Sequence, residues 1–439
     1  MKLAGRLDRL PLLGFHWRLL VLCGAGWILD SADTGLLGMT LADLSVRWNL
    51  SHLQSGLLMS SGMVGLLVGV VLAGSAADRY GRRPLYLAAP ALFSVFSLLV
   101  GLSWGPASFA LFRLFLGISI GGEFAVGTAL LTEYVPAGRR GRMMVLLDSF
   151  WAVGSILAAV SAYLVIPTLG WRAVFFINVL PAALVALARR QIPESPRFLA
   201  LHGHPREAHR IVADLEKQAG LEAREDMEER REPPLHPRFR ELLRGPAAPA
   251  TLRLWWMWFS MTFVYLGMSV WLPSIFVEAG YELRSSIAFM LAFALAQIPG
   301  YVTAAILIER LGRRWSLSGF SLAASLCCLL FAMAGSPGEI LFWGCSLSFF
   351  NLAAWGVLFA YTAEQFPTRF RASGTGSCVA LGRAGGILAP VAVAGLLESA
   401  LPGRPLVMSV FGVMLLVTGV TAWFGRETGG RSLEEIHGE

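Results

Sequence analysis

The sequence predicts an all-α membrane protein whose twelve transmembrane helices form two pseudo-symmetric halves of six. Three observations carry that expectation. Hydrophobic residues make up 55% of the 439-residue chain and charged residues only 15%, against about a quarter in ordinary soluble domains. The apolar residues fall in runs of roughly twenty, the length a helix needs to cross about 30 Å of hydrocarbon at 1.5 Å per residue. Two polar loop motifs also recur at one fixed offset. Such a composition excludes a soluble enzyme.

In chain order, spans are expected near 17–40, 53–77, 84–103, 106–133, 143–165 and 171–189, then near 253–277, 285–308, 315–334, 337–362, 372–397 and 403–424. The first holds Asp30 and Asp33 and lacks a small-residue cleavage pattern, so it reads as a retained span rather than a signal peptide. Lys2, Arg6 and Arg9 precede it, and Arg79, Arg82, Arg83, Arg139, Arg140, Arg142, Arg310, Arg313, Arg314, Arg369 and Arg371 fill alternate loops. The intervening loops hold few basic residues, such as Arg47, Arg284 and Arg404. By the positive-inside rule both termini are cytoplasmic, and the net charge of +7 reports topology rather than a nucleic-acid partner.

The domains expected are an N-terminal bundle at 1–189, a cytosolic linker with short helices at 190–252, a C-terminal bundle at 253–424 and a cytosolic tail at 425–439. The linker's charge run, Arg224, Glu225, Asp226, Glu228, Glu229, Arg230 and Arg231, closes on Pro233, Pro234 and Pro237 and reads as a solvated face. The cysteines Cys23, Cys327, Cys328, Cys345 and Cys378 sit in apolar runs without paired spacing, which points to packing rather than to a metal or disulfide framework.

Asp78-Arg79-Tyr80-Gly81-Arg82-Arg83 recurs as Glu309-Arg310-Leu311-Gly312-Arg313-Arg314, and Glu133-Tyr134-Val135-Pro136 recurs as Glu364-Gln365-Phe366-Pro367. Both pairs share an offset of 231 residues (Asp78 to Glu309, Glu133 to Glu364). Two loops in one register imply halves related as parallel repeats, an arrangement known in carriers that rock around a midplane site. The Asp-Arg-x-Gly-Arg-Arg loop and its repeat resemble the signature of the major facilitator superfamily. Pro193-Glu194-Ser195-Pro196-Arg197-Phe198-Leu199 and Glu427-Thr428-Gly429-Gly430-Arg431-Ser432-Leu433-Glu434-Glu435 are similar to strings of its sugar-porter and organic-ion branch. Asp30 to Leu37, Gly121-Gly122-Glu123, Asp148 to Gly154 and Gly382 to Leu388 resemble bacterial niacin transporters and the synaptic vesicle glycoprotein 2 family. The resemblance implies the major facilitator fold, a multi-pass place in the bacterial inner membrane and import of a small aromatic carboxylate, nicotinate first.

Asp30 and Asp33 lie three residues apart on one face of the first span. Two carboxylates in a low-dielectric site do not both ionise cheaply, so one is a proton carrier, with Arg113 at similar depth as the partner of the other. The bland alternative is a fixed ion pair. Glu123 is either a second titrating site or the holder of Arg142 or another loop arginine. Asp148, near the start of span five, reads as a gate contact. Arg383, bracketed by Gly382, Gly385 and Gly386 near the middle of span eleven, is costly at membrane depth by roughly 2.5 kcal/mol or more. It should face water and find an anion, either a substrate carboxylate or a protein one. Trp151, Trp258, Tyr265 and Trp355 supply rings for stacking or merely for packing, and Trp104 and Trp271 read as interfacial. Gln297 and Asn351 are the foremost cavity amides. Asp78, Arg82, Arg83, Glu133 and Arg142, repeated by Glu309, Arg313, Arg314, Glu364 and Arg371, form a charge network able to close the cytoplasmic side.

The lysines Lys2 and Lys217 sit in no phosphate-binding loop, which leaves secondary rather than primary active transport. No cofactor or metal site is expected, and His16, His52, His202 and His437 lie at span edges or outside spans, which argues against an enzyme. The partners expected are the substrate, protons and lipid, with the chain a monomer. A sugar or organic-ion porter of the same fold remains a rival. Span seven reads Trp255-Trp256-Met257-Trp258-Phe259-Ser260-Met261-Thr262, without the amides a sugar needs. A non-transporting, ligand-binding membrane protein is the other alternative.

Overall fold

The computed structural model describes residues 3–221, 242–243, 248–366, 371–399 and 403–428. The charge run at 224–231, Pro233, Pro234, Pro237, Pro367, Arg369 and the tail from 429 lie outside the described residues, as do Lys2 and the side chains of Asp78 and Arg371. Among the described residues the α-helices are α1 (Leu3–Asp8), α2 (Gly14–Arg47), α3 (His52–Tyr80), α4 (Arg82–Gly101), α5 (Pro106–Tyr134), α6 (Arg140–Leu169), α7 (Trp171–Ala188), α8 (Pro196–Leu201), α9 (Pro205–Gln218), α10 (Ala248–Glu278), α11 (Leu283–Arg310), α12 (Arg313–Met333), α13 (Pro337–Glu364), α14 (Arg371–Leu397) and α15 (Gly403–Trp423).

Twelve of them, α2 to α7 and α10 to α15, are long and apolar enough to cross a membrane. Most end within a few residues of the expected bounds. The first does not: α2 continues past 40 to Arg47 because Leu41 and Leu44 keep a buried face while Asp43 and Arg47 pair at 2.7 Å on the polar one.

The short helix α1 is a feature that apolar runs alone do not announce. Leu3, Leu7 and Leu10 join Ala208, Val212 and Leu215 of α9 in one buried cluster, so a marginal segment is ordered by tertiary packing. Arg6 donates to Glu216 at 2.7 Å, and Arg9 pairs with the same carboxylate. Burial alone pushes the Glu216 carboxyl up, but hydrogen bonds from Arg6 and Arg9 outweigh it and hold the group below its ordinary value.

Contacts divide the chain into two compact units, one of Met1–Ser31, Ser61–Gly154 and Arg172–Pro233, the other of Ala32–Ser60, Ser155–Trp171 and Pro234–Glu439. In the first, Gly117 and Gly121 of α5 rest on the carbonyls of Gly62 and Leu66 of α3, leaving no room for a methyl group. Small residues let helices approach where lipid supplies no hydrophobic drive. In the second, Gly385 of α14 sits on the Phe259 carbonyl of α10, and Gly300 of α11 on the Phe349 carbonyl of α13. There Ser318 and Ser325 of α12 also donate to the carbonyls of Gly419 and Gly412 of α15, at 2.8 and 2.7 Å. Cys23, Cys327, Cys328 and Cys378 are buried and Cys345 half-buried, all as free thiols.

Candidate functional site

The two repeated loops fold alike. Arg82 at the start of α4 lies 3.4 Å from Glu133 of α5, and Arg313 at the start of α12 lies 3.1 Å from Glu364 of α13. The residue pairs stand at the sequence offset of the motifs. Each helix start is also held by a carboxylate that follows the sixth or twelfth span. Glu194 accepts from the backbone N–H groups of Arg82 and Arg83 at 3.0 Å each, and Glu427 from those of Arg313 and Arg314 at 2.9 and 3.1 Å. A carboxylate suits a helix N-terminus, where four N–H groups lack intrahelical partners. Gly81 (φ 102°) and Gly312 (φ 88°) supply the left-handed backbone, and a Cβ at either would strike the capping carboxylate.

Arg142 and Glu309 are exposed, and Arg82 is the residue that meets Glu133. Arg83 donates to the Arg190 carbonyl at 3.1 Å, and Arg314 to the Gly425 carbonyl at 3.4 Å. Glu194 and Glu427 were visible only as parts of family strings. Their capping role requires knowing that the ends of α7 and α15 return to those loops.

Asp30 and Asp33 are both buried in α2, as are Arg113 in α5 and Asp148 in α6. Glu123 has a definite partner, Arg189 just beyond α7, and the two form a buried ion pair. The Arg189 guanidinium also lies 3.9 Å from the Tyr86 ring centroid and donates to the carbonyls of Tyr86 and Leu22 at 3.2 and 2.9 Å. One arginine thereby ties α2, α4 and α5 together. Sequence reasoning did not single out Arg189, which ends an apolar run beside Arg190.

In the second unit three rings of the candidate binding surface meet. Trp258 of α10 packs edge-on against Trp355 and Phe359 of α13, with centroids at 5.5 and 4.8 Å, and its indole donates to Thr362 at 2.9 Å. Arg383 is half-buried on α14, one residue after Gly382, whose missing Cβ would stand 3.1 Å from the Trp258 ring. The Arg383 turn and the aromatic group are thus neighbours through Trp258. Tyr265, two turns along α10, reaches Ser155 at 3.4 Å through its hydroxyl. Trp151 is half-buried in the first unit, where its carbonyl accepts from Ser31 at 2.7 Å. Asn351 and Gln297 are buried on α13 and α11.

Trp271 corrects an expectation. It is 1% exposed rather than interfacial, and its indole donates to the Pro390 carbonyl at 3.1 Å. It lines a cavity of about 190 Å³ with Leu41, Ser45, His52, Ser274 and Glu278, where His52 stands 3.7 Å from Glu278. Trp104, by contrast, is 80% exposed.

Comparison with known proteins agrees with this architecture. The niacin transporter of Acinetobacter baylyi is 38% identical over 440 residues, covering 99% of this chain and all of that protein. The gallate transporter of Pseudomonas putida is 30% identical, covering 93% of this chain and 91% of its own length. The partially occluded inward-open structure of the E. coli xylose transporter superposes with a TM-score of 0.77 at 17% identity, over 95% of this chain and 99% of the other, a likeness of fold. The family described as sugar (and other) transporter matches residues 27–439. Twelve helices of membrane-spanning length, two copies of one loop network and relatives matched end to end identify the chain as a multi-pass membrane transporter, not an enzyme, belonging to the sugar (and other) transporter family of the major facilitator superfamily.

Proposed function

We propose that the protein imports a small aromatic monocarboxylate, nicotinate first, across the bacterial inner membrane, with both termini cytoplasmic and the chain acting as a monomer. Two six-helix halves, 1–189 and 253–424, alternate access around the substrate, and the charged loops at Arg82–Glu133 and Arg313–Glu364 close the cytoplasmic side. The observation that carries the reading is the junction at Trp258, where the turn bearing Arg383 adjoins the Trp355 and Phe359 rings. A guanidinium binds a carboxylate through two parallel hydrogen bonds, and flat rings hold the attached aromatic ring. The similarity to niacin transporters over the full chain supports the same substrate. Asp30 and Asp33 carry the coupled proton, with Arg113 and Glu123 as charged neighbours.

Arg383→Gln removes a charge-assisted pair worth about 1.5–3 kcal/mol, so nicotinate affinity is expected to fall roughly 10- to 100-fold. Calorimetry on the purified variant checks this, with an unchanged melting temperature as the control for folding. Unaltered affinity would remove Arg383 from the site.

A further inference from the structure

Among the described residues, Asn351 is the one buried side chain with two orphaned polar atoms: both Oδ1 and Nδ2 lack a hydrogen-bond partner in a residue 2% exposed. Gln297, on the adjoining helix α11, leaves its Oε1 unpartnered as well. Buried amides are nearly always paired, so one with neither atom satisfied is set aside for a partner the chain does not supply. Its position narrows what that partner is. At 3.6 residues per turn Asn351 shares a face of α13 with Trp355 and Thr362, four and eleven residues on. That face is turned to α10, because Trp258 packs on Trp355 and donates to Thr362. Trp258 also meets Gly382, the residue before Arg383. The face of α13 that bears the orphaned amide and the turn of α14 that bears Arg383 therefore both adjoin Trp258.

We propose that the site takes an aromatic carboxylate bearing an adjacent N–H donor and C=O acceptor on the ring edge away from the carboxylate, the pattern of a hydroxypyridine carboxylate in its pyridone form, and that Asn351 reads that edge. The proposal rests on the assignment of the carboxylate to Arg383. A guanidinium has donors only, and a carboxylate ligand satisfies it without help from an amide. The Asn351 amide offers an acceptor and a donor side by side. A ring lactam returns a donor and an acceptor in the same spacing, so two hydrogen bonds form and neither amide atom remains orphaned. The plain pyridine nitrogen of nicotinate accepts from Nδ2 alone, and benzoate offers neither group. A site built to hydrogen-bond a polar group rejects the analogue that lacks it.

The full-length protein in detergent, titrated calorimetrically with 6-hydroxynicotinate, nicotinate and benzoate, tests this. Wild-type affinity is expected to fall in that order, by about tenfold or more from first to last. Asn351→Leu is expected to bring the three within about twofold of one another by weakening the first two and leaving benzoate unchanged, whereas Arg383→Gln weakens all three. The same discrimination in a folded Asn351→Leu variant overturns the role of Asn351 and leaves the carboxylate site standing. Should that variant not fold, the wild-type order decides, and equal affinity for benzoate and 6-hydroxynicotinate overturns the proposal. Failure of the wild type to bind any of the three overturns this proposal and the aromatic-acid reading together.

Discussion

Gly26 has no side chain because a carboxylate already fills the place. A Cβ built there would collide with Glu123 and come within 2.9 Å of the Arg189 guanidinium. Glu123 has little freedom to withdraw, since Arg189 is itself fixed by the carbonyls of Leu22 and Tyr86 and by the Tyr86 ring. Gly26→Ala is therefore expected to destabilise the protein by about 1–3 kcal/mol, the usual cost of overpacking a filled site. A drop in the melting temperature of the purified variant checks this; an unchanged value would mean that the ion pair yields freely. At this scale the sequence was half legible. A carboxylate in an apolar run either titrates or finds a cation, so Glu123 stood out with a basic partner as one of its two readings. Which cation answers it depends on how α7 packs against α5, and spacing along one chain carries no such information. Trp271 misled for a similar reason: a Trp near a span end is commonly interfacial, and only the Pro390 carbonyl facing it shows that this one is enclosed.

At the scale of the element, α1 is sensitive to acid. Its docking on α9 depends on Glu216, whose folded-state pKa lies below the ordinary 4.5 because Arg6 and Arg9 outweigh the effect of burial. A depressed carboxylate pKa stabilises the folded form fully above the unfolded value, and that contribution is lost as pH falls through 4.5 toward the folded value. Amide hydrogen exchange in Leu3–Asp8 is expected to be slow near neutrality and, after correction for intrinsic rates, to accelerate below about pH 4.5, while α5 stays protected. Glu216→Gln should show fast exchange in α1 at every pH; slow exchange in that variant would assign the docking to the leucines alone. The long helices could be read from apolar runs, because crossing a bilayer fixes length and hydrophobicity together. The short α1 could not, since its stability comes from a surface on α9 about two hundred residues away in sequence.

At the scale of the whole molecule, the proposed proton coupling is a property that no single contact decides. With Asp30 and Asp33 both buried in α2, an imposed inward-directed pH gradient is expected to raise nicotinate uptake into proteoliposomes several-fold, and Asp33→Asn to remove the increase while leaving nicotinate exchange intact. If the wild type ignores the gradient, facilitated diffusion is the better account. The fold was largely legible because the loop motifs repeat in register. The candidate site could be read as single residues but not as an assembly: Trp258, Trp355 and Arg383 stood out as costly or aromatic groups at depth, whereas Phe359 and Thr362, ordinary residues in a span, entered only through contact with Trp258.

The glutamate collars around the starts of α4 and α12 give the molecule a built-in comparison. Glu194 and Glu427 do the same job on duplicated loops. Damage to one leaves an undamaged twin within the same polypeptide, made at the same moment and sitting in the same bilayer. Any asymmetry between the two lesions then belongs to the halves themselves and measures how far they have diverged in the work each does.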